Sequence, residues 1–202
     1  MFNKKDFILH KRGAYSQEGC THAINFFEKR KHLHEEGSFG GYKYDPKQKK
    51  CTEMYLKKDN YKCTNKERNF SVYTLFEDLL LGCRKDYIKK YPFVGRLAPW
   101  NSSPTFKIQK YLPGEGYFVE HCECDGGGSI DEIKRSHAWM IYLNDVTDGG
   151  YTVFPNQKRK FRPRRGDVLV WPAYFTHTHY GVTSKTQMKY IATGWCSVVT
   201  KE

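Results

Sequence analysis

The chain has 202 residues and a net charge of +12, from 34 basic and 22 acidic side chains; 39% of its residues are hydrophobic and 16% aromatic. This length supports one domain over 1–202 with a core rich in Tyr, Phe and Trp. No apolar run nears the ~18 residues of a membrane span, and the start, Met1 to Asp6, lacks the apolar segment of an export signal. The seven cysteines, at 20, 51, 63, 83, 122, 124 and 196, form an odd set with no CxxC pair. They argue against a disulfide framework and for a reducing, cytoplasmic setting, with Cys51 and Cys63 able to pair only under oxidant. The positive balance suits acidic partners, whether nucleic acid, acidic polypeptide or anionic small molecules, and serves solubility equally well.

Residues 1–15 show mixed charge and little periodicity. From Ser16, a suitable N-cap, Cys20, Ala23, Ile24 and Phe27 recur at helical spacing. Residues Glu28 to Lys31 would close that helix with cations at its negative end. The lysine-rich stretch 35–69, with Gly37, Gly40 and Gly41, has few aliphatics and reads as loops and short strands. A second helix is expected from about Ser71 to Tyr91, on the stripe Val72, Leu75, Phe76, Leu79, Leu80, Cys83 and Tyr87, stopped by Pro92.

From Pro104 the texture is strand-like: 105–111, 117–121, 137–143, 151–154, 167–172 and 188–196 are β-rich runs separated by glycine-bearing turns. Many short strands with such punctuation imply a double-sheet jelly roll or barrel. The chain thus divides into an N-terminal helical and loop support, 1–103, and a β core, 104–198.

His121-Cys122-Glu123 places two metal-ligand types at i and i+2, which on a strand point to one side. With a second histidine from a distant strand they would form the three-residue set that binds Fe(II) and leaves open positions. The segment Thr176-His177-Thr178-His179-Tyr180-Gly181 offers two candidates for that histidine. Asp125 is an alternative carboxylate at i+4 from His121. His137, beside Trp139, reads as a core or surface histidine.

The ordered pattern Tyr111-x-x-Gly114, His121-x-Glu123, Arg135, Tyr142-Leu143-Asn144-Asp145-Val146, Gly149-Gly150-x-Thr152-x-Phe154-Pro155, Pro163-x-x-Gly166-Asp167, His179-x-Gly181, Lys189 and Trp195 resembles the prolyl 4-hydroxylase-like family of Fe(II)/2-oxoglutarate dioxygenases over roughly 105–196. The resemblance implies a mostly β (α+β) fold, a double-stranded β-helix of jelly-roll type buttressed by N-terminal helices. It implies iron ligation by His121, Glu123 and His179, the last chosen over His177 by the ten-residue step to Lys189. Lys189 would then pair with the far carboxylate of 2-oxoglutarate, Tyr111 would add a hydroxyl, and Trp195 would line the pocket. The family pattern has aspartate where this chain has Glu123, one methylene longer.

The implied cofactors are Fe(II), 2-oxoglutarate, O2 and L-ascorbate, and the implied reaction is C–H hydroxylation with release of succinate and CO2. The implied partner is a peptide or protein, proline-rich or acidic, over which 42–68 and 126–131 would form a lid. The basic segment 158–165 reads as a solvated hairpin or as a contact for an acidic peptide or nucleic acid. Rival readings are a nucleic-acid or small-molecule oxygenase of the same superfamily, and a basic, non-enzymatic binding module on the same fold.

Overall fold

The computed structural model describes residues 5–39, 44–57, 72–125 and 129–199. Cys63, and so any pairing with Cys51, lies outside them, as do 42–43, 58–68 and 126–128 of the expected lid.

Helix α1 (Gln17–Glu28) starts where a hydroxyl can satisfy its first amides: Ser16 Oγ accepts the Gly19 N–H at 2.9 Å. It buries Cys20, Ala23 and Phe27. Its last turn contains no basic residue; the expected cations fall just beyond it, with Lys29 as the C-cap and Arg30 Nη1 donating to Phe26 O at 3.3 Å. Helix α2 (Val72–Lys90) buries Val72, Tyr73, Phe76, Leu80, Cys83 and Tyr87 and ends on Lys89 and Lys90. Pro92, which lacks an amide proton, opens a 3-10 turn instead of another helical turn.

The described residues form twelve strands: β1 (Leu9–Lys11), β2 (Glu35–Glu36), β3 (Lys49–Lys50), β4 (Thr52–Lys57), β5 (Trp100–Tyr111), β6 (Gly116–Tyr117), β7 (Arg135–Tyr142), β8 (Thr152–Phe154), β9 (Arg159–Phe161), β10 (Val168–Pro172), β11 (Tyr180–Gly181) and β12 (Lys189–Val198). A short helix, α3 (Ile130–Ile133), precedes β7. Seven strands form an antiparallel sheet in the order β1-β10-β7-β12-β5-β4-β2, three form a second sheet, β11-β8-β9, and β3 pairs with β6.

Strand alternation assigns the two faces of the large sheet. Phe106 and Ile108 of β5, Trp139 and Ile141 of β7, and Val168 and Val170 of β10 pack with α1 and α2 in one core. Ala138, Met140, Tyr142, Leu169, Trp171 and Ile191 point the other way and pack with Phe154 and Phe161 of the small sheet. The result is a double-stranded β-helix with its helices on the outer face of the large sheet, as the sequence pattern implies.

Differences from the sequence reading have local causes. The expected strand 117–121 is reduced to β6 plus an isolated bridge between His121 and His179. Strand β1, three residues long, is too short to show a period in the sequence. The basic segment 158–165 is not simply solvated: Arg159 pairs with Asp6, Arg162 Nη2 donates to Tyr151 Oη at 3.0 Å, and Arg165 donates to Thr21 Oγ1. His137 is a buried core residue stacked on Trp100 at 4.3 Å. The six cysteines among the described residues are all free thiols. No helix among the described residues is long and apolar enough to cross a membrane.

Candidate active site

A cavity of about 660 Å3 opens where the large sheet faces the small one, within the range of small-molecule sites. Its wall is built from the inward residues of neighbouring strands. Lys107, Gln109 and Tyr111 come from β5, and Lys189, Ile191, Thr193 and Trp195 from β12. The register sets Lys189 beside Tyr111, and Thr193 and Tyr55 beside Lys107.

His121, Glu123 and His179 converge on this cavity, with one ligand-type atom from each lying within 4.8 Å of the others. The bridge that pairs their backbones, His121 N to His179 O at 3.0 Å and His179 N to His121 O at 2.8 Å, brings the two imidazoles side by side. Glu123 sits one step beyond in a bend, its amide donating to Ala173 O at 3.0 Å. The convergence therefore comes from a bridge and a bend, not from a regular strand, and Cys122 also lines the cavity.

Each imidazole is oriented by its far nitrogen. His121 Nδ1 meets Val119 O at 3.0 Å and His179 Nδ1 meets His177 O at 3.1 Å. A carbonyl only accepts, so each Nδ1 carries a proton, and Nε2 is the ring atom that faces Glu123 and, on losing its own proton, offers a lone pair to a metal. Glu123 Oε1 lies 3.3 Å from His179 Nε2 and 3.9 Å from His121 Nε2. Its other oxygen, Oε2, accepts the Trp195 indole N–H at 2.6 Å. The extra methylene of glutamate thus folds the carboxylate back between the rings.

Burial pushes the Glu123 carboxyl up, but the hydrogen bond and charge of His179, then His121 and the Trp195 N–H, carry it below the usual carboxylate range. Burial first, and the neighbouring His179 second, lower His121 to about 3, so the ring is neutral at neutral pH and its Nε2 is open to a metal. This donor set, two imidazole nitrogens and one carboxylate oxygen, is the kind that suits Fe(II). Asp125 lines the cavity but does not join the cluster. His177 turns away: its Nε2 contacts Asp6 O at 2.9 Å, from a 3-10 turn rather than a strand.

Deeper in the cavity, Lys189 is buried, with Nζ donating to Gly150 O at 3.0 Å and lying 5.0 Å from the Tyr111 ring. Among the described residues no carboxylate pairs with it, and burial lowers it to about 8. A buried cation without a counter-ion is costly, so the site is complementary to an anion. The Gly149-Gly150 turn supplies its carbonyl partner: both residues have positive φ, 146° and 68°, and a Cβ on Gly149 would lie 2.2 Å from Thr183 O. Tyr111 Oη donates to Gln109 Oε1 at 3.0 Å, beside this ammonium rather than toward the three-residue cluster.

A buried carboxylate outside the sequence expectations lies behind the wall and ties its lysines together. Glu53 is fully buried and accepts from Lys49 Nζ at 2.8 Å, Lys107 Nζ at 3.2 Å and Gln109 Nε2 at 2.9 Å. The alternation Lys107-x-Gln109-x-Tyr111 was the available signal, since it puts three polar side chains on the face of β5 opposite Phe106 and Ile108.

Residues 106–197 match the family model described as the 2OG-Fe(II) oxygenase superfamily. A protein of Acanthamoeba polyphaga mimivirus named "Putative prolyl 4-hydroxylase" is 30% identical over 113 residues, covering 48% of this chain and 46% of that protein. The chain therefore spans less than half the length of this curated relative. Among solved structures, the viral collagen prolyl hydroxylase of Paramecium bursaria Chlorella virus-1, in its 2OG complex, superposes with a TM-score of 0.67 at 20% identity, over 96% of this chain and 97% of that one. A prolyl hydroxylase of Trichoplax adhaerens, in complex with a hypoxia inducible factor peptide fragment, gives a TM-score of 0.68 at 15% identity over 96% and 84%.

Proposed function

We propose that this chain is a 2OG-Fe(II) oxygenase, on the match of residues 106–197 to that superfamily's model, and that it hydroxylates a C–H bond of a prolyl residue in a peptide or protein, with Fe(II), 2-oxoglutarate and O2 as cofactors and L-ascorbate as the supporting reductant. The observation that carries this reading is the placement of two Nε2 lone pairs and one carboxylate oxygen at the mouth of a cavity whose depth holds an uncompensated lysine. The prolyl target follows from the names of the relatives, and a peptide from the bound fragment in the Trichoplax protein.

The bound metal and cosubstrate would supply oxidative decarboxylation, giving succinate and CO2, and one oxygen atom for the C–H bond. The chain's residues do the positioning. His121, Glu123 and His179 hold the metal, and the carbonyls of Val119 and His177 fix the imidazole protons on Nδ1. Trp195 holds Glu123 Oε2, which leaves Oε1 facing both imidazoles. Lys189, with Tyr111 beside it, anchors the far carboxylate of 2-oxoglutarate by a charge-assisted hydrogen bond in a site screened from water. The surrounding apolar side chains Ile191 and Met140 help exclude solvent from that end.

The test is mass spectrometry of synthetic prolyl peptides incubated with the chain, Fe(II), 2-oxoglutarate and ascorbate. A single-oxygen mass gain on proline is expected. Cosubstrate consumption with no peptide modified, and with a nucleic acid or free amino acid modified instead, would replace the prolyl target.

A further inference from the structure

The cavity carries more cationic side chains than the metal and cosubstrate require. Lys189 is committed to the deep end. Arg135 is held by Glu123 O at 2.9 Å and Glu132 at 3.5 Å, and its guanidinium lies 3.9 Å over the Trp195 ring. Lys49 is held by Ser38 O at 2.7 Å and Glu53 Oε2 at 2.8 Å. Lys107 differs from all three. Its Nζ meets one acceptor among the described residues, Glu53 Oε1 at 3.2 Å, so two of its three N–H donors remain.

Its position is informative. Lys107 is 7% exposed and lines the cavity, with Nζ 4.5 Å from the Tyr55 ring and 5.6 Å from the Trp195 ring. It lies four residues before Tyr111 on β5, about 13 Å along the strand from the cosubstrate anchor. Trp195 also touches Glu123, so Lys107 flanks the metal end of the cavity on the side away from Lys189. Lys49 and Lys107 share the single carboxylate of Glu53, which leaves this buried group one positive charge in excess. The acidic residues that line the same cavity are Glu123 and Asp125 on the segment after His121, and Asp131 and Glu132 on the α3 side; none of them is paired with Lys107 among the described residues.

We infer that Lys107, braced by Glu53 and Lys49, forms a carboxylate-binding subsite that selects substrates carrying an anionic group near the hydroxylated carbon. This rests on the proposed reading of the cavity as a 2-oxoglutarate oxygenase site and names the substrate class that the site favours. A neutral substrate would leave the excess charge buried and its donors unpaired, whereas a carboxylate satisfies both. The carboxylate has two sources: an acidic side chain beside the target in a peptide, or the main-chain carboxylate of a terminal or free target residue.

Titration calorimetry on the full chain tests this without turnover. The ligands are one pair of prolyl peptides that differ only by Glu or Gln after the target proline, and a second pair ending at that proline as free acid or amide. We expect the unaltered chain to bind one acid about tenfold or more tightly than its neutral partner. The pair that shows the preference identifies the source. Lys107→Met should abolish it and Lys107→Arg should retain it. Should Lys107→Met fail to fold, Lys107→Gln removes the charge, keeps an amide that can donate to Glu53 and leaves the Lys49–Glu53 pair intact, and it should give the same loss. Equal binding within both pairs by the unaltered chain, or an undiminished preference in Lys107→Met or Lys107→Gln, would overturn the inference. Succinate release by the unaltered chain, measured in parallel, reads the parent proposal separately: a preference without succinate overturns the oxygenase reading and leaves the subsite, and succinate without a preference does the reverse.

Discussion

The Trp195 indole N–H lies 2.6 Å from Glu123 Oε2, on a residue 72 positions away in the chain. One oxygen of the carboxylate is thereby fixed and the other is left facing His121 and His179. Outer hydrogen bonds of this kind orient metal ligands, and their loss typically weakens metal binding ~10–100-fold. Trp195→Phe keeps most of the ring and removes the N–H. We expect Mn(II) affinity, read by calorimetry, to fall within that range. Unchanged affinity would mean that the bond does not orient the ligand.

Lys189 gives the site a pH dependence. Burial lowers its ordinary value of 10.5 to about 8, so the free site is charged below about pH 8 and neutral above it. An anion binds the charged form, so 2-oxoglutarate affinity should weaken as pH rises above about 8, by up to about tenfold per unit. Lys189→Met should raise the KM for 2-oxoglutarate by about ten- to a hundredfold and flatten this dependence. A KM that matches the unaltered chain at every pH would remove Lys189 from the anchor.

His177 and His179 separate two roles that the sequence places two residues apart. His177 contacts Asp6 O and Thr176 Oγ1, and is buried away from the metal-ligand cluster. His177→Ala should lower stability by about 1–3 kcal/mol and leave Mn(II) affinity within about twofold. Loss of metal binding at full stability would reverse the assignment.

Glu53 should govern acid stability. Burial would raise its carboxyl, but Lys107 and Lys49, with the Gln109 amide, bring it from 4.5 to about 2. A lowered folded value means that the stabilisation is fully present above about pH 4.5 and is lost as pH falls from there toward 2. Glu53→Gln leaves two buried lysines without their carboxylate, at a cost of about 3–5 kcal/mol. Urea unfolding at pH 7 should show that loss, and the variant should lack the decline between pH 4.5 and 2. Equal stability of the two chains would show that the network is solvated in solution.

Much of this arrangement is legible in the sequence because it is set by period and spacing. The α2 stripe and the alternating β runs each reflect one local geometry, and the step from His179 to Lys189 is legible through the family pattern that the chain resembles. The Ser16 cap and the Pro92 stop are equally local. What escaped is set by tertiary pairing. Strand β1 shows no pattern in three residues and forms because β10 offers it an edge. The Glu53 network joins β4 to β5, and nothing near Glu53 in sequence marks it as buried. His177 could be set aside by spacing, yet its actual partner, Asp6, comes from the N-terminal segment, which no periodicity locates. The basic segment 158–165 reads as free charge in sequence, because its acceptors Asp6, Thr21 and Tyr151 belong to other segments.

In the proposed function, His121, Glu123 and His179 hold the iron that drives 2-oxoglutarate turnover. Succinate release, measured with Fe(II), 2-oxoglutarate, ascorbate and prolyl peptide for the unaltered chain, His179→Ala and His177→Ala, tests it most directly. We expect succinate from the unaltered chain and from His177→Ala, and at least a hundredfold less from His179→Ala. Undiminished release by a folded His179→Ala, or none from the unaltered chain with any peptide, would contradict it.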